Sequence, residues 1–383
     1  MANFDYAANF DRFLESRDKD QPFCFWFGSK EPHRKFELGS GVRAGKSIDD
    51  VTVPSFLPDH PEIRSDMLDY LLEIEWFDEH LGRMLSALES QGELDNTIVI
   101  VTSDNGMAFP RAKANVYEYG IHMPLAISWP STISGGRRVT DLVNLIDVTA
   151  TIYDATNVTP PFAYPLSGRS LMNVLLSKDS GNVDPTRDAV FSGRERHSSS
   201  RYNSLGYPQR CIRTHEYLYI WNMRPERWPA GTPVKYDTAR YTLEGNQAGS
   251  LLGPDHGGYH DIDACPSLDF LIKNGESKDL GPFLDLSVAK RPEVELYDIR
   301  TDTGCLNNLA GHIGFAAIEH RLEDRLKAHL RQTLDARVVS QDGGEIWETY
   351  PRYSSLRWFP EPEWAKRRPV IQQDWLELGR PRR

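Results

Sequence analysis

Cysteine is scarce in this chain: its 383 residues include four, Cys24, Cys211, Cys265 and Cys305. No two of them stand at the spacing of a thiolate metal site, so zinc ribbons and related clusters are excluded and the four read as scattered packing residues. No apolar run approaches the roughly 20 residues that cross a bilayer. The opening Met1-Ala2-Asn3-Phe4-Asp5 lacks the basic and apolar segments of a secretory signal. Internal repeats and low-complexity tracts are also missing. Positive charge is in deficit: 44 Lys and Arg against 55 Asp and Glu give a formal net charge of −11. That balance argues against nucleic acid as the main partner, while leaving room for a local basic pocket that takes an anionic substrate. At this length the chain can bury a large core and is expected to divide into two domains.

What is present is organised around Leu94 to Gly106. Ile98-Val99-Ile100-Val101 is an unbroken β-branched run, the composition of a strand buried on both faces of a sheet. It ends in Ser103-Asp104-Asn105-Gly106. The tetrapeptide allows two readings. One is an Asx-rich turn closing the strand. The other is a pair of oxygen ligands for a hard cation, delivered beyond the carboxyl end of a sheet strand.

Upstream, the spacing of Phe10, Phe13 and Leu14 predicts a helix over Tyr6 to Arg17, and the aromatic run Pro22 to Gly28 predicts a strand leading into Ser29-Lys30-Glu31-Pro32-His33-Arg34. Gly39 to Pro61 is rich in turn residues and predicts a surface loop, with Asp49-Asp50 as solvated charge. Glu62 to Ser90 predicts one long helix. Its apolar stripe is Met67, Leu71, Ile74, Phe77, Leu81, Met84 and Leu88, with Asp69, Glu73 and Glu79 among the polar positions. Downstream, Leu125 to Trp129 predicts a core strand and Leu142 to Ala155 a covering helix. From about Asp188 the character changes. Ala189–Ser192, Arg210–Arg213, Tyr217–Trp221 and Glu295–Ile299 predict a small antiparallel sheet, and Ala317 to Thr333 its packing helix.

After Asn105 come Phe109-Pro110-Arg111-Ala112-Lys113 and then Tyr117-Glu118-Tyr119-Gly120-Ile121-His122-Met123-Pro124. Together with Ser103-Asp104-Asn105-Gly106 these resemble the sulfatase family of the alkaline phosphatase superfamily, and most closely its heparan N-sulfatase-like (sulfamidase-like) branch. The resemblance runs over nearly the whole chain. It implies an α/β fold, an alkaline phosphatase-like mixed sheet flanked by helices, with a smaller C-terminal α+β subdomain on an antiparallel sheet. The expected division is 1–187 for the remaining part of the catalytic domain, 188–335 for the C-terminal subdomain and 336–383 for a wrapping tail.

The resemblance also implies roles. His33 and Lys113 are the expected catalytic residues: His33 as general acid toward the departing amine or hydroxyl, Lys113 as the ammonium that bridges sulfate and nucleophile. Asp104 and Asn105 are the expected ligands of a single Ca2+, and they cannot complete its shell alone. His122 stands where many sulfatases carry Arg, and Lys30 where many carry His. Arg194, Glu195, Arg196 and His197, with the segment Tyr259 to Asp263, read either as a salt-bridged surface or as a lip that binds the sugar. The expected partner is a sulfated saccharide of the N-sulfoglucosamine type, with no nucleic acid and no membrane span. Relatives are periplasmic, extracellular or lysosomal.

One element of the family is absent. Sulfatases attack with a formylglycine made from Cys or Ser in a Cys-x-Pro-x-Arg pattern, and no Cys or Ser of this sequence begins one. The chain therefore resembles the C-terminal portion of a sulfatase and by itself is expected to be inactive. Two other readings stay open, a non-catalytic homologue that binds sulfated glycans and, disfavoured by Asn105 where a His is usual, a two-metal phosphodiesterase or phosphomutase.

Overall fold

The computed structural model describes residues 4–161, 166–237, 251–341, 343–348 and 359–363, so most of the expected tail lies outside the described residues. The chain forms two compact units. The first comprises Met1–Thr52, His60–Asp104 and Met123–Val190, and the second Val53–Asp59, Asn105–His122 and Phe191–Arg383. The division is thus interleaved rather than a single cut near residue 187.

In the first unit, α1 (Tyr6–Ser16) starts at Asp5, whose carboxylate accepts the Ala8 N–H at 2.9 Å as an N-cap. Its apolar face, Ala7, Phe10 and Leu14, packs on Met84 and Leu88 of α2 (Pro61–Ser90). Burying the Phe10 side chain contributes about 2–3 kcal/mol. Phe23, Phe25 and Phe27 lie against the same cluster. The strand expected over Pro22 to Gly28 is not formed among the described residues, yet its alternation survives. Phe23, Phe25 and Phe27 turn inward, while Cys24 is exposed and Trp26 is 90% exposed.

The polar face of α2 departs from expectation. Leu71 is 41% exposed, whereas Asp66, Asp69, Glu73 and His80 are buried. These positions share one helical face, and that face meets the loop ahead of the helix instead of water. Asp66 takes both ends of the Arg34 guanidinium, at 2.7 and 2.9 Å. Asp69 accepts the N–H groups of Gly39 and Gly41, each at 2.8 Å, and the Ser40 hydroxyl at 3.3 Å. A carboxylate that satisfies backbone donors is stable inside a fold where an isolated one is not. Asp49 and Asp50 form an exposed helical turn, as expected of solvated charge.

The strand at the centre of the sequence, β1 (Val99–Thr102), pairs antiparallel with β2 (Leu125–Ser128), with Ile100 opposite Ile127. It is half-buried, not buried on both faces: Val99, Ile100 and Val101 are partly covered and Thr102 is exposed. Of the helix expected from Leu142, the part Ile146–Ala155 forms (α3).

The second unit holds the strand that is covered on both sides. β3 (Ala189–Arg194), β4 (Gln209–Thr214), β5 (Tyr217–Asn222) and β6 (Val294–Asp298) form a four-stranded sheet in that order. β5 pairs antiparallel with both β4 and β6. On one face Cys211, Leu218, Ile220 and Tyr297 cluster with Val116, Tyr117, Ile299 and Cys305. The other face packs on α4 (Ala316–Gln332), which buries Leu322, Leu326 and Leu330. Lys327 lies 5.6 Å from the Trp221 ring there.

Because Asp69 stops three buried donors from going unpaired, Asp69→Ala is expected to lower the unfolding free energy by about 3 kcal/mol. Leu71→Asn, on the face the sequence pattern marks as core, is expected to change it by less than about 0.5 kcal/mol. Urea denaturation of the two variants checks the assignment of the faces.

Candidate functional site

His33 is exposed on a loop of the first unit that three neighbours pin. Glu31, itself buried, accepts hydrogen bonds from the Tyr6 hydroxyl (2.9 Å) and the Ser29 hydroxyl (2.8 Å). Arg34, next to His33, is locked on Asp66. The His33 ring sets Nδ1 2.6 Å from the Arg34 carbonyl oxygen. A carbonyl only accepts, so Nδ1 carries the proton and Nε2 faces outward, free to bind or deliver one. Asp104 stands exposed just beyond β1.

Asn105 belongs to the second unit. Gly106 follows because nothing larger fits: a Cβ there would sit 1.9 Å from the Tyr119 carbonyl oxygen, and the Gly106 N–H donates to Gly120 O at 3.2 Å. The chain then folds into the second unit, burying Ala108, Phe109, Pro110, Arg111 and Ala112 in succession. Arg111 is the anchor. Its guanidinium donates to the carbonyls of Leu286 (2.6 Å), Gly304 (3.5 Å) and Cys305, and lies 4.0 Å from the Tyr117 ring centre. Tyr117 in turn donates to Glu295 at 2.8 Å, and Tyr297 and Asn222 complete that carboxylate's bonds.

Two residues past this anchor, Lys113 points its ammonium at Asp263, 2.8 Å away. His197 belongs to the same group and lies at the surface. Burial on its inner side lowers its pKa below the usual 6.5, and Lys113 and Arg194 add to that, against the opposing pull of Asp261 and Asp263. The imidazole is therefore neutral near pH 7.

Other sequence candidates are placed differently. Arg194 does not face solvent: it donates to the Pro229 carbonyl at 2.6 Å and the Tyr207 carbonyl at 3.2 Å, and pairs with buried Asp261. Burial, with Arg201 alongside, brings its pKa down to about 10 despite Asp261. Glu195 pairs with Arg210 and Arg337. Both are engaged in ion pairs, Arg194 inside the fold and Glu195 nearer the surface. Arg196 is half-buried, with its guanidinium 3.4 Å from the Ser204 carbonyl. His122 is exposed and bonds Glu118 at 2.8 Å. Burial alone would raise the Glu118 pKa, but the bonds from His122 and Arg213 overcome it and hold it at about 2. Sequence reasoning missed Arg111, Glu118 and Asp263 as site supports. Only Arg111 carries a local signal, a lone charge between Pro110 and Ala112.

No group of three or more His, Cys, Asp or Glu side chains converges as a metal site among the described residues. The side chains of Asp104 and Asn105 offer at most three oxygens against the roughly six to eight that calcium takes, so this donor set does not by itself fit the ion.

Residues 4–158 match the family model described as Sulfatase, and residues 111–228 match the one described as N-sulphoglucosamine sulphohydrolase, C-terminal. Both models describe sulfatases, and the chain is similar to that family over residues 4–228. Human N-sulphoglucosamine sulphohydrolase is 28% identical to this protein over 87% of the chain and 65% of its own length. N-acetylglucosamine-6-O-sulfatase of Bacteroides thetaiotaomicron is 34% identical over 36% of the chain and 26% of its own. The chain thus spans less than two thirds of these curated relatives. Among solved structures, one of a protein in complex with its substrate D-glucosamine-2-N,6-O-disulfate aligns with a TM-score of 0.57 at 18% identity, covering 88% of this chain and 70% of that one. The yidJ protein of Bacteroides fragilis aligns with 0.58 at 18% identity, covering 86% and 58%. These likenesses establish the alkaline phosphatase-like α/β fold of the chain.

Two outcomes follow for Arg111 and Glu118, buried charges of this segment. Arg111→Lys keeps the charge but loses the fork that reaches three carbonyls, and is expected to lower stability by about 3 kcal/mol in chemical denaturation. Glu118 has a folded-state pKa near 2 against an ordinary 4.5, so its contribution is fully present above pH 4.5 and lost as pH falls toward 2. Acid titration of Glu118→Gln is expected to lack roughly 3 kcal/mol of that pH-dependent stability.

Proposed function

We propose that this chain carries the sulfuryl-binding side of a sulfatase acting on an N- or O-sulfated sugar of the N-sulfoglucosamine type. One observation carries the reading: an ammonium eight residues beyond Asn105, on a loop that Arg111 fixes, with one N–H engaged by Asp263. Lys113 has three N–H groups, so two remain for sulfuryl oxygens. Charge developing on those oxygens in the transition state is stabilised by a donor already in place. His33, with Nδ1–H tied to its own loop, would deliver a proton from Nε2 to the departing nitrogen or oxygen.

Asp104 and Asn105 would supply part of the shell of a divalent cation, Ca2+ in this reading, which would polarise the sulfuryl group when bound. The remaining ligands are not among the described residues as a cluster, and no step is assigned to the ion. The sequence also carries no Cys-x-Pro-x-Arg nucleophile. In this reading the chain by itself grips the sulfated sugar without cleaving it, and the alternative, a homologue that binds sulfated glycans without catalysis, shares that expectation.

Calorimetric titration of the chain with glucosamine N-sulfate is expected to show binding that weakens about tenfold in Lys113→Ala, the loss of one charge-assisted hydrogen bond. Unsulfated glucosamine is expected to bind no better to the parent than to that variant, and no free sulfate is expected to accumulate. Equal affinity for the two sugars would overturn the sulfuryl assignment, and sulfate release would overturn the inactivity of the chain.

A further inference from the structure

Lys113 is 11% exposed along its side chain, and among the described residues Asp263 is its one carboxylate partner. Asp263 is 27% exposed and makes its hydrogen bond to Lys113 alone. The two are 150 residues apart in sequence, so their meeting is a product of the fold. Asp261, two residues before Asp263, explains how the partner is delivered. It is buried and accepts from the Ser198 N–H (3.1 Å), the Ser198 and Ser200 hydroxyls (2.9 and 2.8 Å) and Arg201 (2.5 Å), while its own N–H donates to Ala230 O at 3.0 Å. Two residues after Asp263, the Cys265 sulfur caps the helix Pro266–Lys273 by accepting the Leu268 N–H at 3.4 Å. Asp263 is thus suspended between two fixed points, on the side of the loop that looks toward Lys113.

We propose that Asp263 is the positioning residue of Lys113: its carboxylate takes one ammonium N–H and so aims the other two at the place where an anionic oxygen binds. This rests on the sulfuryl-binding reading of Lys113. Arg194 and Arg201 are committed to Asp261, so they do not draw Asp263 away. His197, neutral and beside the pair, adds no charge that would pull either partner aside. A nearly buried ammonium without a carboxylate carries a large desolvation penalty and swings to whatever acceptor lies within reach of its flexible stem. With Asp263 the direction is fixed before any ligand arrives, which is what preorganisation requires.

The test uses the whole chain with Asp263→Asn and Asp263→Glu, both checked for an unchanged circular-dichroism spectrum. Brief labelling with an amine-reactive reagent, read at Lys113 by peptide mass spectrometry, is expected to rise about tenfold in Asp263→Asn, as one charge-assisted hydrogen bond is lost, and to return toward the parent in Asp263→Glu. Affinity for glucosamine N-sulfate is expected to fall in the Asn variant and recover in the Glu variant. Unchanged labelling of Lys113 would overturn the proposal. Tighter binding by Asp263→Asn would also overturn it, because Asp263 would then be a competitor for the ammonium. If the parent binds no sulfated sugar while Lys113 labelling still follows Asp263, the sulfuryl reading fails and the pairing stands on the labelling alone.

Discussion

The buried guanidinium of Arg111 is the interaction on which the placement of Lys113 in the second unit depends. A cation inside a protein is tolerated when its hydrogen bonds are filled and opposing charge is near. Arg111 meets this without a direct carboxylate: its donors end on carbonyls of Leu286, Gly304 and Cys305, and its flat face rests on Tyr117. The Tyr117 hydroxyl donates a hydrogen bond to Glu295, and that carboxylate also accepts from Tyr297 and Asn222. The network ties a loop near residue 111 to backbone near residues 286 and 304 and to the four-stranded sheet. Lys113 inherits its place from that tie.

The same device recurs at His33, Lys113 and Asp263. His33 is followed at once by Arg34, which is clamped on Asp66. Lys113 follows Arg111 by two residues, and Asp263 follows Asp261 by two. In extended chain, residues two apart face the same way and neighbours face opposite ways. His33 and Arg34 fit the second case, one out and one in. The other two pairs lie in turns, Arg111 and Ala114 both having positive φ, so the local fold rather than simple alternation turns the exposed member outward. A functional side chain on a loop has little packing of its own, and a buried charge a residue or two away supplies the rigidity that a strand or helix would otherwise give.

Much of the second unit was legible because its periodicity and its burial agree. Tyr217-Leu218-Tyr219-Ile220-Trp221 is apolar throughout and lies between a cluster holding Val116 and Tyr117 on one side and a helix on the other. Ile98 to Val101 has the same composition, yet β1 has one strand partner and partial cover. Composition reports what a strand can bury, whereas the neighbours decide what it does bury. On α2 the apolar stripe holds at Met67, Met84 and Leu88, which are buried, and fails at Leu71, while Asp66, Asp69 and Glu73 look like solvent positions until the loop holding Arg34, Gly39 and Gly41 is laid on the first two. Hydrophobic periodicity has no means of registering a helix face that is buried by charge.

For the candidate site, the sequence motif groups Asp104, Asn105 and Lys113 because they lie within one short segment; it names Asp263 in the segment from Tyr259, but not its pairing with Lys113, which arises only through the fold. Nor could it sort the arginines. Arg194 and Arg196 look alike in Gly193-Arg194-Glu195-Arg196-His197, but Arg194 closes on Asp261 and on backbone carbonyls, and burial acts on it strongly enough to bring its pKa down to about 10. A guanidinium whose donors are already engaged inside cannot also read a sugar at the surface. Among the described residues the acidic partner of Lys113 engages one N–H and is itself partly exposed, so the ammonium is oriented without being saturated. Holding a charge firmly and keeping it available are opposing demands, and a one-point contact from a carboxylate fixed elsewhere satisfies both.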